Sequence, residues 1–389
     1  MTKEQILQEA KALQEEIKSH RLWLHTHAET GFDLTETKPY VKSTLTEMGY
    51  TVQECGKAGL VTTVGKPGGK VLLLRADMDA LPIAEEADVD FACKNGRMHA
   101  CGHDAHAACL LGGAKILAEH RDAFGGEVRL VFQPAEEIGQ GAKPFIAAGV
   151  LDGAERVFGL HTAHDLRSGT VGLKPGLNNA AVDHFRIEVH GKSTHVSTPH
   201  LGTDALYIAS QIVVAVQGLV TRMTSPTEPV IIGIGCLNAG TTYNAVAEHA
   251  VMEGTTRTVS QESRDRIRRL VSETADSIAA IYGGTAEIVW TDFAAALIND
   301  AEVCREAAAV ADSLLGEGHV VTDRELSLSG DNFAEFELYR PGAYAYLGTG
   351  NPDKPHTVIS NHNGGFDVDE DALVTGAALY AGYALARLG

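Results

Sequence analysis

The stretch KVLLLRADMD, residues 70–79, joins an almost continuous apolar run to two carboxylates, Asp77 and Asp79. A run without polar alternation is typical of a strand that is buried on both faces, as in parallel sheets covered by helices. Similar apolar runs stand at residues 128–132 and 157–160, with helix-like patterns between the runs. This alternation predicts an α/β fold whose mostly parallel sheet carries helices on both sides.

Side chains that can bind metal ions follow each of the three predicted strands. Asp77 and Asp79 follow the first strand, Glu136 and Glu137 the second, and His161 the third. Ligands of open α/β sheets bind outside the carboxyl ends of the strands. We therefore expect these donors to meet at one edge of the sheet.

The run MHACGHDAH, residues 98–106, brings a thiol and an imidazole to the same edge. Cys101 and His103 stand two residues apart in the loop before a helix predicted over about residues 104–120. His362 lies in a polar loop near the C-terminus and, taken alone, is an ordinary loop histidine. Sulfur, nitrogen and oxygen donors together suit zinc, manganese, cobalt or nickel better than calcium or magnesium.

The composition excludes several classes of protein. The chain has 389 residues, 44% hydrophobic and 21% charged, which predicts a globular protein of two domains. The net charge of −19 argues against a nucleic-acid or anionic-membrane partner. We expect neither a membrane span nor a signal peptide, and the six scattered cysteines predict reduced thiols in a cytoplasmic protein.

The pattern of elements changes near residue 181. Residues 183–190 alternate between polar and apolar side chains, as a half-exposed antiparallel strand does. Two long helical patterns, at about 204–222 and 262–282, alternate with further strand patterns before the chain returns to its earlier character near residue 298. This order predicts an inserted two-layer α+β domain. No P-loop, dinucleotide fingerprint, HExxH or GxSxG motif is complete in the chain.

Five segments carry a resemblance that covers nearly the full chain in order. They are LRADMDALP (74–82), MHACGHD (98–104), FQPAEE (132–137), GKSTH (191–195) and FDVDE (366–370). With these motifs the chain resembles the amidohydrolases of peptidase family M20, subfamily D. That group includes aminoacylases, hippurate hydrolases, auxin-conjugate hydrolases and aminobenzoyl-glutamate hydrolases.

The resemblance implies a site with two divalent metal ions, manganese or zinc, with cobalt or nickel as alternatives. The residues that match the metal ligands of the family are Cys101, His103, Glu137, His161 and His362. Glu136 matches the general base, and Asp79 is expected to orient a ligand rather than to bind metal itself.

The resemblance also implies a catalytic domain over residues 1–180 and 295–389, split by a dimerisation (lid) domain over residues 181–294, and hence a homodimer. In the insert, His195 matches a histidine that reaches the active site, where it would donate to the developing oxyanion. Asn244 and Arg257 match residues that hold the carboxylate of the substrate. Two departures from the family pattern concern the pocket: Gly330 replaces a glutamate, and the proline usual shortly after the position of His161 is absent.

These features predict a metal-dependent amidohydrolase that cleaves the amide bond of an N-acyl or N-aroyl amino acid, or of a small dipeptide. A carboxypeptidase or dipeptidase acting on true peptides would use the same ligand spacing. A non-catalytic metal- or peptide-binding protein of the same fold is a second alternative, but mere binding has no use for Glu136. The acyl group and the physiological metal stay open.

Overall fold

The computed structural model describes residues 3–389 and confirms the α/β fold class, with the chain divided into two compact units. Unit 1 takes the chain up to Asn178, Ile298–Glu325 and Asn332–Gly389, and unit 2 takes Asn179–Leu297 and Leu326–Asp331. These divisions lie a few residues from the predicted ones. The observed division differs from the predicted one in assigning Leu326–Asp331 to unit 2, where Leu328 accepts a hydrogen bond from Arg257.

The elements of unit 1 lie on both sides of unit 2 in the sequence. Before unit 2 they are α1 Lys3–Ala12, α2 Gln14–Thr26, α3 Thr37–Glu47, β1 Gln53–Cys55, β2 Gly59–Gly65, β3 Val71–Asp77, α4 His103–Glu119, β4 Glu127–Gln133, α5 Ala142–Ala147, β5 Ala154–Arg167, β6 Val171–Gly172 and β7 Gly176–Asn179. After unit 2 they are β12 Leu297–Asn299, α8 Ala301–Leu315, β13 Val320–Val321, α9 Ala334–Glu337, β14 Gly342–Gly350 and α10 Leu373–Leu388. The elements of unit 2 are β8 Ala181–His190, α6 Ala205–Met223, β9 Ile231–Ala239, β10 His249–Thr258, α7 Gln261–Ile281 and β11 Thr285–Ala294.

The large sheet of unit 1 is parallel at its centre. Its order is β1-β2-β4-β3-β5-β14-β6-β13, and the four central strands β4, β3, β5 and β14 pair in parallel. All nine residues of β14 are buried, as expected for a central strand covered on both faces. Because the central strands run in one direction, their carboxyl ends share one edge, where the predicted donors lie.

A close helix pair supports this edge from one side of the sheet. Helix α4, which begins at His103, is buried along almost its whole length and packs against α10. A Cβ atom at Gly113 would come within 2.9 Å of the Cβ of Tyr380, so glycine permits the approach of the two helices. The first residue of α4 is thereby held rigidly beside the sheet.

Strand β5 is longer than the sequence indicates. His161 lies inside the strand rather than after it, because β5 continues to pair with β14 as far as Ala163, which faces Gly348. The family proline that is missing here would remove a backbone N–H donor. Its absence is compatible with the continued ladder.

Unit 2 has the predicted two-layer α+β architecture. Its antiparallel sheet has the order β11-β8-β10-β9, and α6 and α7 cover one face. The core between the two layers includes Phe185, Ile208 and Ile267, each fully buried. The alternating burial along β8 leaves the opposite face of the sheet open.

Helix α6 is long and apolar enough to count as a candidate membrane span, although the sequence predicts no span. This judgement rests on length and composition alone. An 18-residue stretch of the helix has a mean hydropathy of 1.3, and 28% of that stretch is buried. A single such helix is weak support for a membrane span. Its inner face carries Ile208, Ile212 and Val216, which pack in the core of unit 2, while Val214 on its outer face is 69% exposed.

Candidate active site

The metal-binding side chains predicted from separate segments lie together in unit 1. Cys101 Sγ is 3.4 Å from His161 Nε2, and His103 Nε2 is 3.7 Å from Glu137 Oε1. The other oxygen of Glu137 is 3.5 Å from Nε2 of His362. All five residues that match the family's ligands therefore form one cluster at the carboxyl edge of the sheet.

The loop that carries His362 is fixed to the loop that carries Cys101. The backbone N–H of His362 donates to the carbonyl of Ala100 at 2.8 Å, and Asn361 Nδ2 lies 3.5 Å from Cys101 Sγ. His362 has a φ angle of 61°, an uncommon conformation for a residue with a side chain. Tertiary contacts thus place the histidine that had the weakest sequence signal.

The cluster separates into two sets of donors that share one thiol. Cys101, His103 and His161 form one set, and Cys101, Glu137 and His362 form the other, with the donor atoms of each set within 4.8 Å of one another. A thiolate common to both sets is suited to bridge two metal ions.

The donors fit metal ions by a second criterion, their hydrogen bonding. Both ring nitrogens of His103 and Oε1 of Glu137 are buried, and none of them makes a hydrogen bond within the described part of the chain, residues 3–389. Buried polar atoms are almost always paired, since desolvating them without a partner costs free energy. Unpaired lone pairs aimed into one cluster are what divalent cations would satisfy.

The electrostatics of the metal-free site favour positive charge at its centre. Burial lowers the pKa of His103, but the Asp77 carboxylate and the neighbouring Asp79 and Cys101 together outweigh it, so the net pKa stands well above its ordinary value. Burial raises the pKa of Cys101 to about 12, with the carboxylate of Glu137 acting in the same direction. Burial also raises the pKa of Glu137 to about 7, although the charge of His103 opposes it. A cation in the cluster would supply the charge that these groups lack.

Glu136 and Glu137 follow β4 on a tight turn that Asp79 holds. The backbone N–H of Glu136 donates to Asp79 Oδ1 at 2.9 Å, and that of Glu137 is 3.3 Å from Asp79 Oδ2. Ala135, just before them, has a φ angle of 55°, a strained conformation of the kind that clusters at functional sites. The predicted orienting role of Asp79 is compatible with these contacts.

Asp77, His106 and Thr162 surround the cluster; Asp77 was expected at this edge without an assigned role, whereas His106 and Thr162 were not among the predicted site residues. The backbone N–H of Thr162 donates to His106 Nε2 at 2.8 Å, so the ring proton is on Nδ1 and is donated to Asp77 Oδ1 at 2.6 Å. The other oxygen of Asp77 accepts from Arg75 and lies 3.8 Å from His103. The spacing of His106 three residues after His103, on one face of α4, is the sequence signal that could have indicated this arrangement.

The position that differs from the family glutamate, Gly330, lies in a crowded segment. A Cβ atom at Gly330 would come within 2.6 Å of Val182 Cγ2, so no larger residue fits without a shift in unit 2. Asn332, in unit 1, instead donates its backbone N–H to Glu136 Oε1 at 3.1 Å. Glu136 is 4% exposed. A backbone group therefore contacts the predicted base, and residue patterns do not reveal such a contact.

His195 and Asn244 are neighbours in two loops of unit 2. His195 forms a β-bridge with Ala245, and both His195 and Asn244 are exposed. The backbone N–H of Ser197 donates to His195 Nδ1 at 3.2 Å, so a neutral ring carries its proton on Nε2. Nε2–H is the donor that the predicted oxyanion contact requires.

Arg257 stands near the end of β10, at the other end of that strand from the loop of Asn244. Its Nε donates to the carbonyl of Leu328 at 2.9 Å, which is one contact that joins Leu326–Asp331 to unit 2. Burial lowers the pKa of Arg257, an effect that the nearby Asp183 opposes. Within unit 2 the structure does not bring Arg257 together with His195 and Asn244.

Comparison with known proteins is consistent with this site. Residues 73–386 match the model of peptidase family M20/M25/M40. The chain is 38% identical to thermostable carboxypeptidase 2 of Saccharolobus solfataricus over 97% of both chains. It is 37% identical to the N-acetyl-L-cysteine deacetylase of Bacillus subtilis, over 93% of this chain and 86% of that protein.

A solved structure gives the same assignment. A dinuclear metal-binding peptidase of the M20 family from Bacillus subtilis superposes with a TM-score of 0.82 at 34% identity, covering 97% of this chain and 99% of that chain. The metal-dependent amidohydrolase class and a site for two divalent metal ions predicted from the sequence are confirmed by these matches. The chain belongs to peptidase family M20/M25/M40.

Proposed function

We propose that this enzyme hydrolyses the amide bond of N-acyl or N-aroyl amino acids, with small dipeptides as further substrates. The observation that carries the proposal is the pair of donor sets that share Cys101, with a buried carboxylate, Glu136, beside them. A protein that only binds metal would need the donor sets but not the additional carboxylate. The relatives named as a carboxypeptidase and an N-acetyl-L-cysteine deacetylase support amide substrates with a free carboxylate.

Five residues would hold the two ions: Cys101, His103, Glu137, His161 and His362. When bound, the ions lower the pKa of water and polarise the carbonyl of the amide. Manganese or zinc suits this mixture of sulfur, nitrogen and oxygen donors, with cobalt and nickel as alternatives. Cys101 would act as a thiolate shared by both ions.

Glu136 would transfer the proton. Its carboxylate lies in a cluster with the donor atoms of His103 and Glu137, all within 4.8 Å, so it would stand beside a water that ions held there activate. It would take a proton from that water and return it to the leaving amine. The hydrogen bond from the backbone N–H of Asn332 fixes one of its oxygens, and the Asp79 carboxylate fixes the backbone of both glutamates.

Unit 2 would bind and polarise the substrate. Arg257 offers a guanidinium to the substrate carboxylate, and Asn244 is the second candidate for that contact. His195 would donate Nε2–H to the oxyanion that develops on the carbonyl oxygen.

A homodimer would reconcile the positions of these residues. His249 begins β10, next to the loop that carries His195, and Arg257 lies near the other end of the strand. His249 and Arg257 are eight residues apart, which is about 27 Å of extended strand. An N-acyl amino acid is much shorter than this distance, so one unit 2 cannot place both Arg257 and His195 on the same substrate. A second chain would supply one of them.

Two features of unit 2 support such a dimer. Strand β9 is at the edge of its sheet, and its backbone is free to pair with another strand on that side. The outer face of α6 exposes apolar side chains, among them Tyr207 and Val214. We propose a cytoplasmic location because the cysteines are free and five of the six are buried, with Cys236 exposed.

A substrate panel on metal-reconstituted enzyme tests the proposal. N-acetyl, N-benzoyl and aminoacyl derivatives of the same amino acid should be compared with the corresponding esters and with amides whose carboxylate is blocked. We expect the free-carboxylate N-acyl amino acids to have the highest kcat/KM, and chelation to abolish all amide hydrolysis until Mn²⁺ or Zn²⁺ is added. A preference for longer peptides would favour the carboxypeptidase alternative. Full activity after chelation would refute the proposed site.

A further inference from the structure

We propose that unit 2 holds a third transition-metal site, separate from the two sites in unit 1, on the open face of its sheet. Its ligands are Glu188, His190 and His249, which offer one donor atom each, all within 4.8 Å of one another. The proposal does not depend on the substrate of the enzyme.

The antiparallel register of β8 and β10 brings these side chains together. His190 and His249 are paired directly across the two strands, and their rings lie 5.3 Å apart between centroids. Glu188 is two residues before His190, so its side chain points to the same face. His249 Nε2 is 3.3 Å from Glu188 Oε2. Two adjacent strands of one ladder thus hold three donors in place before any ion binds.

The donor types specify the ion. Two imidazoles and one carboxylate form a three-ligand set that leaves a coordination position for water, as in open zinc sites. Imidazole favours zinc, copper and nickel, whereas magnesium and calcium prefer oxygen ligands. We therefore expect a transition metal, and zinc is the probe ion.

The surrounding charges favour a cation at this position. Glu287 on β11 faces Glu188 directly in the ladder, and like charges in directly opposed positions are destabilising. Arg186 compensates in part, since its Nη2 lies 2.8 Å from Glu188 Oε1. That contact leaves Oε2 for His249, whose Nε2 is 3.3 Å away.

The site is located where it would restrain two functional loops. His190 and His249 are the last paired residues of the β8–β10 ladder before the loops that carry His195 and Asn244. The first residue after His190, Gly191, donates its N–H to the carbonyl of Glu248 at 2.8 Å. An ion bound to both histidines would link the two strands where these loops begin. Because the ion would bind only folded unit 2, it would stabilise unit 2 against unfolding.

Metal content of the tag-free holoenzyme tests the proposal. After dialysis against Zn²⁺ and removal of free metal, the wild-type enzyme should retain three zinc ions per chain and the His249→Ala variant two. The matched control is His184→Ala, because His184 lies on the same face of β8 and pairs with Glu253 at 3.2 Å but has no second imidazole in its cluster. That control should retain three ions.

A thermal readout keeps the test independent of activity. Added Zn²⁺ should raise the melting temperature of the wild-type holoenzyme and of His184→Ala, but not that of His249→Ala. If His249→Ala does not fold, Glu188→Gln serves instead, since it keeps the shape of the side chain and removes the anionic ligand. Retention of two zinc ions by the wild type, or of three by both ligand variants, would overturn the third site.

Discussion

Two inactive variants, His195→Ala and Glu136→Gln, should restore activity when their subunits are mixed. Glu136 belongs to unit 1, and His195 belongs to a loop of unit 2. The start of β10 lies near the loop of His195, and Arg257 is about 27 Å further along that strand. Because one small substrate cannot span that distance, the proposed homodimer would have His195 and Arg257 reach a given substrate from different chains. We expect His195 to come from the partner of the chain that supplies Glu136.

The size of the recovery follows from the statistics of mixing. In a randomised equal mixture, half of the dimers are heterodimers, and each heterodimer has one site with both wild-type residues, so about a quarter of wild-type activity should return. The activity of each parent variant alone should be far lower than that of the mixture. Loss of one oxyanion donor costs about 10² to 10³ in kcat, and loss of the base about 10² to 10⁴.

The matched pair is Arg257→Ala with Glu136→Gln. If His195 acts on the site of the other chain, Arg257 acts on the site of its own chain, so this second mixture should stay inactive. Subunits with different affinity tags allow heterodimers to be isolated after exchange, and their rate of N-acyl amino acid hydrolysis should be measured at equal metal content.

Recovery in one mixture but not in the other is the expected result. Recovery with Arg257→Ala alone would exchange the roles of the two residues while preserving the argument from the length of β10. Verified heterodimers that remain as inactive as their parents in both mixtures would refute the reasoning.

The remaining predictions concern metal, proton transfer and stability. Cys101→Ala should lose bound metal and activity together, measured by metal analysis and rate, because both donor sets share this thiol; normal metal content would contradict the shared ligand. Glu136→Gln should keep its metal and lose kcat by about 10² to 10⁴, whereas Glu137→Gln should lose metal affinity, and identical behaviour of the two variants would leave their roles undistinguished. Glu29→Gln should destabilise unit 1 by about 1.5 to 3 kcal/mol near pH 7, since the Glu29 carboxylate accepts backbone N–H bonds at the start of α3. Burial raises the pKa of Glu29, but hydrogen bonds from Thr37 and Thr35 bring it below its ordinary value. The stabilisation by the Glu29 carboxylate is therefore present above the unfolded-state pKa and is lost as the pH falls through the folded-state pKa. A difference in melting temperature between the wild type and Glu29→Gln that does not narrow in acid would contradict this assignment.

The sequence alone determined the fold class, because short apolar runs without alternation, separated by helical patterns, are typical of strands buried on both faces. It also indicated where the chemistry lies. Asp77 and Asp79 end one strand, Glu136 and Glu137 follow the next, and parallel strands share their carboxyl edge, so local order along the chain translates directly into proximity. The two-residue spacing of Cys101 and His103 before a predicted helix was enough to propose them as metal-ligand candidates.

Contacts between distant segments could not be predicted in this way. The length of β5 beyond His161 depends on its pairing with β14, and the hydrogen bond from Asn332 to Glu136 joins residues 196 positions apart through a backbone group. His362 carried little signal because its position rests on one backbone hydrogen bond to Ala100 and on a positive φ. Backbone groups are the same in every residue, so a pattern of side chains does not encode their partners.

The separation of His195 from Arg257 was likewise decided by tertiary structure. Both residues match family positions for substrate contacts, and the sequence offers no distance between them. Arg257 lies near one end of β10, whereas the loop of His195 bridges to Ala245, just before the other end of that strand, and a strand extends by about 3.4 Å per residue. Residue types therefore indicated which side chains are candidates for the chemistry, and the extended geometry of the sheet decided that Arg257 and the loop of His195 lie apart within one unit 2.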